Sequence, residues 1–151
     1  MLKKWIAAGF ITSTLILTGC QTMKDDLSSS VTTAHLLQLE NHTWVVTQIG
    51  NTPIAKTGNM PSISFDSATK RVSGSDGCNR IMGSYEAKAD KLNLSQMAGT
   101  RMACLDNASI DQKFNSALAN VTHYQVFNRT LKLLDRHGNL LIQFESVIQP
   151  R

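Results

Sequence analysis

Apolar and polar residues alternate over short stretches along most of the chain. Ile63 and Phe65 are separated by a serine and preceded by another, so both apolar side chains lie on one face of a strand. Glycine, asparagine and aspartate separate these stretches and indicate turns. The pattern predicts strands at residues 44–49, 61–65, 71–73, 82–87, 92–97, 124–127, 130–134 and 140–145. The loop at residues 135–139 has a length that suits a hairpin between the last two.

One segment instead repeats its apolar residues at helical spacing, and these residues are Ile110, Phe114, Ala117, Leu118 and Val121. Ser109 and Gln112 resemble a capping box, and Asp111 suits the first turn of the helix. Leu36, Leu37 and Leu39 indicate one further helical turn before the first strand. The prediction is an α+β single domain in which a curled antiparallel β-sheet of about seven to eight strands packs on one amphipathic helix.

The N-terminal segment has the order of a secretory leader. Lys3 and Lys4 precede an apolar stretch too short to span a membrane, and the sequence Leu-Thr-Gly-Cys follows at residues 17–20. This run resembles the bacterial lipobox, in which the cysteine is acylated. We therefore predict a lipoprotein signal peptide at residues 1–19, lipidation of Cys20, and a polar, flexible tether at residues 20–33. The membrane is then a partner through the lipid anchor.

Charge argues against nucleic acid as a partner. The chain carries a formal net charge of +4, but two of its 15 basic residues leave with the signal peptide. The remaining basic residues are scattered and do not alternate with aromatic residues. The sequence therefore lacks the clustered basic residues that are typical of a nucleic-acid-binding protein.

Two cysteines remain once Cys20 carries lipid. In an exported domain Cys78 and Cys104 are expected to form a disulfide, and the alternative is two buried free thiols. A disulfide would close a loop of about 27 residues and stabilise the domain by roughly 3.5 kcal/mol.

Two connecting segments are unlike ordinary loops. Residues 72–80 read Val-Ser-Gly-Ser-Asp-Gly-Cys-Asn-Arg, and residues 97–104 read Met-Ala-Gly-Thr-Arg-Met-Ala-Cys. Together they resemble the signature of the META domain family, which includes HslJ-like heat-shock lipoproteins. The resemblance places the domain at residues 34–148 and implies a compact α+β fold, an envelope location and a link to stress. It implies no catalytic residues.

The same segments hold the candidate binding residues, which are Asn79, Arg80, Thr100 and Arg101. They line a binding patch on one interpretation and only knit the two loops together on the other. The arginines could brace the loops through carbonyls or through Asp76. The crowded glycines Gly74, Gly77 and Gly83 indicate positive φ or close backbone approach.

The favoured function is a non-catalytic lipoprotein of the outer membrane that faces the periplasm and acts in envelope stress through an envelope protein partner. Gln21 supports the outer membrane, because an aspartate there would resemble an inner-membrane retention signal. The alternative is a small hydrophobic-ligand or lipid-binding barrel similar to pilot lipoproteins. Its pocket would be lined by Ile63, Phe65, Val126, Leu133, Ile142, Phe114 and Leu118.

An enzyme is the weakest hypothesis. The four histidines do not fall at metal-ligand spacing, and no base and nucleophile come together in the sequence. The Ser-x-x-Lys at residues 67–70 and the Lys-Thr-Gly at residues 56–58 occur in reversed order within turns, so we interpret both as chance. The sequence predicts no catalytic residue, no metal site and no cofactor.

Overall fold

The computed structural model describes residues 23–40, 42–56, 58–104 and 109–147. Nine strands and two helices follow one another within these residues. In chain order they are α1 (Met23–Glu40), β1 (Thr43–Ile49), β2 (Thr52–Pro53), β3 (Ser62–Asp66), β4 (Arg71–Ser75), β5 (Arg80–Lys88), β6 (Lys91–Gly99), α2 (Ile110–Leu118), β7 (His123–Phe127), β8 (Thr130–Leu134) and β9 (Leu140–Ser146). The predicted signal peptide and Cys20 lie outside the described residues.

The strands form one antiparallel sheet that closes on itself. Their order is β2-β1-β3-β4-β5-β6-β7-β8-β9, and β1 also pairs with β9. Eight strands thus form a ring, and β2 pairs with the end of β1 outside it. The weakest joint is between β6 and β7, which share the single residue pair Lys91 and His123.

All eight predicted strands are present, so the expected count of seven to eight was wrong because of β2. This strand has only two residues and follows the turn at Gly50 and Asn51 without any apolar alternation. Its Pro53 lacks an amide hydrogen and is tolerated where pairing is brief and at an edge. The local pattern therefore looks like turn rather than strand.

The prediction of one helix was also wrong, because α1 begins at Met23 and includes much of the segment assigned to a flexible tether. Its C-terminal end is anchored, since Leu39 is fully buried. The Leu39 carbonyl accepts a hydrogen bond from Trp44 Nε1 at 3.0 Å, and the Gln38 carbonyl lies 2.7 Å from His42 Nδ1. Adding residues to an anchored helix costs far less than starting one, so α1 extends into polar sequence.

The helix predicted after residue 109 is confirmed with its expected start at Ile110 and a shorter length. It ends at Leu118, so Val121 lies beyond it but is still buried. Ser109 adopts a left-handed conformation, with φ of 61°, and its side chain makes no capping hydrogen bond, so the expected capping box is wrong. Phe114 anchors the helix and meets Phe144 of β9 edge to face at 6.2 Å between ring centroids.

The interior of the closed sheet is filled by side chains. The seven residues assigned to a ligand pocket all belong to the core, and their exposed fractions range from 0 to 5%. A cavity that could hold a ligand would leave accessible surface on the side chains that line it. The described side chains thus occupy the space in which the alternative hypothesis places a ligand, as expected for a ring of eight strands.

Candidate functional site

Two loops meet at one end of the sheet. The first joins β4 to β5 and carries Cys78, and the second follows β6 and carries Cys104. The two cysteines form a disulfide with their Cα atoms 5.9 Å apart, which confirms the predicted pairing over the alternative of free thiols. The bond holds the two signature segments together.

Asn79 and Thr100 connect the same two loops. Asn79 Oδ1 accepts a hydrogen bond from the Met102 amide at 2.7 Å and another from Thr100 Oγ1 at 3.2 Å. Thr100 Oγ1 in turn accepts from the Arg80 amide at 3.1 Å. Asn79 is buried, whereas the side chains of Arg80 and Arg101 are exposed. Two of the four candidate residues therefore tie the loops together, and two point to solvent.

Asp76 is the buried carboxylate at the centre of this site, with only 2% of its surface exposed. Its Oδ1 accepts from the amides of Cys78 and Asn79 at 2.9 and 2.6 Å, and its Oδ2 accepts from Asn115 Nδ2 at 2.8 Å. Burial alone would raise the pKa of Asp76, but these hydrogen bonds outweigh it and hold the pKa below its ordinary value.

Asp76 therefore links the disulfide loop to α2, and the expected brace by an arginine was wrong. An amide reaches the carboxylate from the helix instead. The sequence carried one signal for this arrangement, because Asp111, Asn115 and Leu118 recur at intervals of four and three and share one face of α2.

The glycines of the signature make these close approaches possible. A Cβ atom at Gly74 would collide with the carbonyl oxygen of Ser62, and one at Gly83 would collide with the sulfur of Met97. Gly77 has a φ of 94°, which a side chain would strain. Both predicted reasons for glycine, close approach and positive φ, are confirmed.

A groove of about 360 Å³ runs between the second half of β6 and α2. Asn79, Thr100 and Arg101 line it on the loop side, and Asp111 and Asn115 line it on the helix side. Arg80 lies at the start of β5 with an exposed side chain and does not line the groove. The structure thus brings three of the four candidate residues to one groove.

Two exposed methionines belong to this region, and the sequence analysis missed them. Met97 and Met102 have exposed fractions of 37 and 61%. Met97 lines the groove together with Arg101, and Met102 follows Arg101 directly in the chain. The exposed Met82 lies on the other face of β5, where its sulfur is 4.0 Å from Arg71. Methionine is a flexible side chain that adapts to different protein surfaces. We call the surface formed by Met97, Met102 and Arg101 the methionine–arginine surface.

A second polar cluster fixes α1 to the sheet. Glu40 accepts hydrogen bonds from Tyr85 Oη at 2.5 Å and from Lys70 Nζ at 2.6 Å, and its side chain is 4% exposed. Burial, followed by the hydrogen bond to Glu40, raises the pKa of Tyr85. The tyrosine hydroxyl therefore stays protonated as a donor, and the cluster functions as an anchor for the helix.

Neither a metal-binding group nor a membrane-spanning helix is found among the residues that the structure describes. Within residues 23–40, 42–56, 58–104 and 109–147, no three histidine, cysteine, aspartate or glutamate side chains could hold a metal ion together. Over the same residues, no helix combines the length and apolar character needed to cross a bilayer.

Comparison with known proteins gives the family. The META domain family model matches residues 37–148. The chain belongs to the META domain family. The match begins three residues after the predicted start of the domain and ends at the predicted end. Among curated proteins, none is significantly similar.

Solved structures share the fold of this META domain. A protein from Burkholderia xenovorans solved by NMR is 23% identical, covers 95% of this chain and 100% of its own, and has a TM-score of 0.61. Another NMR structure is 26% identical with a TM-score of 0.58, over 72% of this chain and 92% of its own. The crystal structure of a DUF4847 family protein from Bacteroides vulgatus ATCC 8482 is 20% identical with a TM-score of 0.54, over 74% and 96%.

Proposed function

We propose that this META domain protein is a lipoprotein of the bacterial outer membrane, that its domain faces the periplasm, and that it acts without catalysis by binding other envelope proteins during stress. The lipobox-like run that ends at Cys20 and the residue Gln21 support the anchor. The disulfide supports an oxidising compartment, because such bonds rarely persist in the cytosol. The link to stress comes from the family resemblance.

The methionine–arginine surface is the observation that carries the proposal of protein binding. Methionine and arginine are enriched at protein interfaces, and here both are held outward on a rigid support. Its loops are fixed by a disulfide and by the buried Asp76, so little conformational entropy remains to be lost on binding. The filled core leaves the surface of the domain as the place where recognition occurs.

Site-specific photo-crosslinking in whole cells tests the binding proposal. A photoreactive residue in place of Met102, which is 61% exposed, should form adducts with particular envelope proteins. The matched control is the same residue in place of Lys132, which is exposed in the middle of β8. Absence of adducts at position 102, or an identical set of adducts at both positions, would contradict protein binding through this surface.

Fractionation tests the anchor separately. Replacing Cys20 with serine removes the predicted lipidation site, so the mature protein should move from the membrane fraction to the soluble periplasm. Replacing Gln21 with aspartate should instead leave the protein membrane-bound but shift it from the outer to the inner membrane. If the Cys20→Ser protein stays with the membrane, lipid anchoring at this residue is wrong.

A further inference from the structure

Strand β6 has an open edge for most of its length. It pairs with β5 from Lys91 to Gly99 on one side. On the other side it pairs with β7 only at Lys91, and the Leu92 amide donates to the Thr122 carbonyl at 3.0 Å. Among the described residues, no backbone hydrogen bond beyond Leu92 joins this edge to another strand. An unpaired edge offers a row of donors and acceptors to another extended chain.

The direction of the backbone groups along this edge follows from the hydrogen bonds that are formed. The backbone amide of Leu92 points toward the β7 side of the strand. Backbone groups two residues apart point the same way, so those of Leu94 also point to that side, where no strand is paired. After an irregularity at Gln96, whose φ is 52°, the Thr100 amide bonds to the Arg80 carbonyl on the β5 side. The backbone amide and carbonyl groups of Met97 and Gly99 therefore face the open side. Side chains from Ser95 onward are exposed and do not shield it.

The open edge borders the groove against α2. A strand edge on one side and a helix on the other form a slot for an extended peptide, in which the edge supplies backbone hydrogen bonds and the groove receives alternate side chains. Met97 and Leu118 provide apolar contacts in this groove.

The charged side chains at the ends of this slot indicate which kind of peptide segment it binds. Lys91 and Arg101 stand at the two ends of the edge, about 30 Å apart by strand geometry, and no carboxylate lies between them in the sequence. At the Lys91 end, Glu86 shares a surface cavity with the two cations Lys88 and Lys91. At the Arg101 end, Asp111 lines the groove from the helix side, and Asp76 is buried with its carboxylate already hydrogen-bonded. An extended segment with acidic residues near both ends would place its charges against Lys91 and Arg101.

A second copy of the chain fits this edge poorly. Antiparallel pairing of two β6 edges about Gln96 would place Lys91 of each copy opposite Arg101 of the other. Like charges directly opposite each other destabilise a strand pair. The charges thus favour a different, acidic protein over self-association.

We propose that the open edge of β6 binds an extended acidic segment of a partner protein as an added strand. The inference rests on the proposed function, and it names the chemistry of the partner and its mode of binding. The partner segment lies between β6 and α2, forms backbone hydrogen bonds with Leu94, Met97 and Gly99, and pairs its acidic residues with Lys91 and Arg101.

Synthetic peptides test strand addition on the folded, disulfide-bonded protein. The probe is a peptide of about ten residues with alternating valine and threonine and an aspartate at each end. The first control peptide carries lysine in place of aspartate at both ends. The second control is the acidic peptide with methyl groups on alternate amide nitrogens, which removes the hydrogen-bond donors along one edge. It is made in two versions, one for each edge of the peptide. The acidic peptide should bind and should slow hydrogen exchange at the amides of Leu94 and Gly99. The lysine peptide, and the methylated version whose blocked edge faces β6, should bind about tenfold more weakly or not at all.

Charge reversal supplies the matched variants. Lys91→Glu combined with Arg101→Glu should reverse the preference, so that the lysine peptide binds more tightly than the acidic one. Lys132→Glu on β8 should leave the preference unchanged. Equal binding of the acidic peptide and both methylated versions, exchange protection away from β6, or no binding of the acidic peptide at millimolar concentration would overturn the proposal.

The same charge variant separates this inference from the proposed function. If crosslinking at position 102 captures partners and the capture is unchanged by Lys91→Glu with Arg101→Glu, strand addition is wrong and protein binding stands. If position 102 captures nothing in the otherwise unaltered protein, the proposed function itself fails. Both proposals are supported if the charge variant loses capture and the segment captured by the otherwise unaltered protein maps to an acidic stretch.

Discussion

Replacing Cys78 or Cys104 with serine should lower the free energy of unfolding by about 3.5 kcal/mol. The disulfide joins residues 26 positions apart and restricts the unfolded chain, which is the main source of its stabilising effect in the chain-entropy account. For a domain of this size the loss corresponds to a decrease in melting temperature of about 10 °C or more. Thermal unfolding followed by circular dichroism would measure it.

The double variant is the control for this prediction. Because either substitution alone breaks the bond, the Cys78→Ser, Cys104→Ser protein should be only slightly less stable than each single variant. Dithiothreitol should lower the melting temperature of the unaltered protein and leave that of the double variant unchanged. Additive losses, or insensitivity of the unaltered protein to reduction, would show that the disulfide contributes little.

Replacing Asp76 with alanine should cost about 3 kcal/mol, the second large effect that the structure predicts. The substitution removes an acceptor shared by two backbone amides and the Asn115 side chain, and buried donors that lose their partner are costly. Asp76→Asn should cost less, because an amide oxygen can still accept while the charge is lost. Urea unfolding at neutral pH would give both values.

The two variants should also differ from the unaltered protein in their response to acid. The pKa of Asp76 is lower in the folded protein than its ordinary value of 3.8. Its ionised form therefore stabilises the fold fully above pH 3.8, and this contribution is lost as the pH falls through the folded-state pKa. The stability gap between the unaltered protein and Asp76→Asn should be constant near neutral pH and shrink as the pH falls below about 4.

Asp90→Asn is the matched control, since Asp90 is exposed in the turn between β5 and β6. It should not change the free energy of unfolding by more than about 0.5 kcal/mol. A stability gap for Asp76→Asn that is independent of pH down to about pH 2 would mean that the carboxylate does not titrate as the hydrogen bonds imply.

The strands and the second helix could be predicted because their signals are local. Alternation such as Ile63 and Phe65, and helical spacing such as Phe114 and Leu118, reflect which side of an element meets the core. The disulfide could also be predicted, since it required only the expected compartment and the number of cysteines. These features need no knowledge of which elements are neighbours.

The start of α1, strand β2 and the candidate site depended on neighbours in space. The helix is held by Leu39 and Glu40 against strands far along the chain, and the polar residues before Leu36 give no sign that the helix begins at Met23. The Asp76 carboxylate accepts a hydrogen bond from Asn115, 39 positions further along the chain, and not from an arginine near it in sequence.

Eight of the nine strands, the second helix, the cysteine pair and the family of this protein could be read from the amino-acid sequence, because periodicity and signature residues are local features of the chain. The closure of the sheet, its filled interior and the single residue pair between β6 and β7 became apparent only in three dimensions. Ring closure and strand stagger set which side chains and backbone groups meet. The filled core, the methionine–arginine surface and the open edge of β6 follow from that closure and stagger, which bring together strands that lie far apart in the chain.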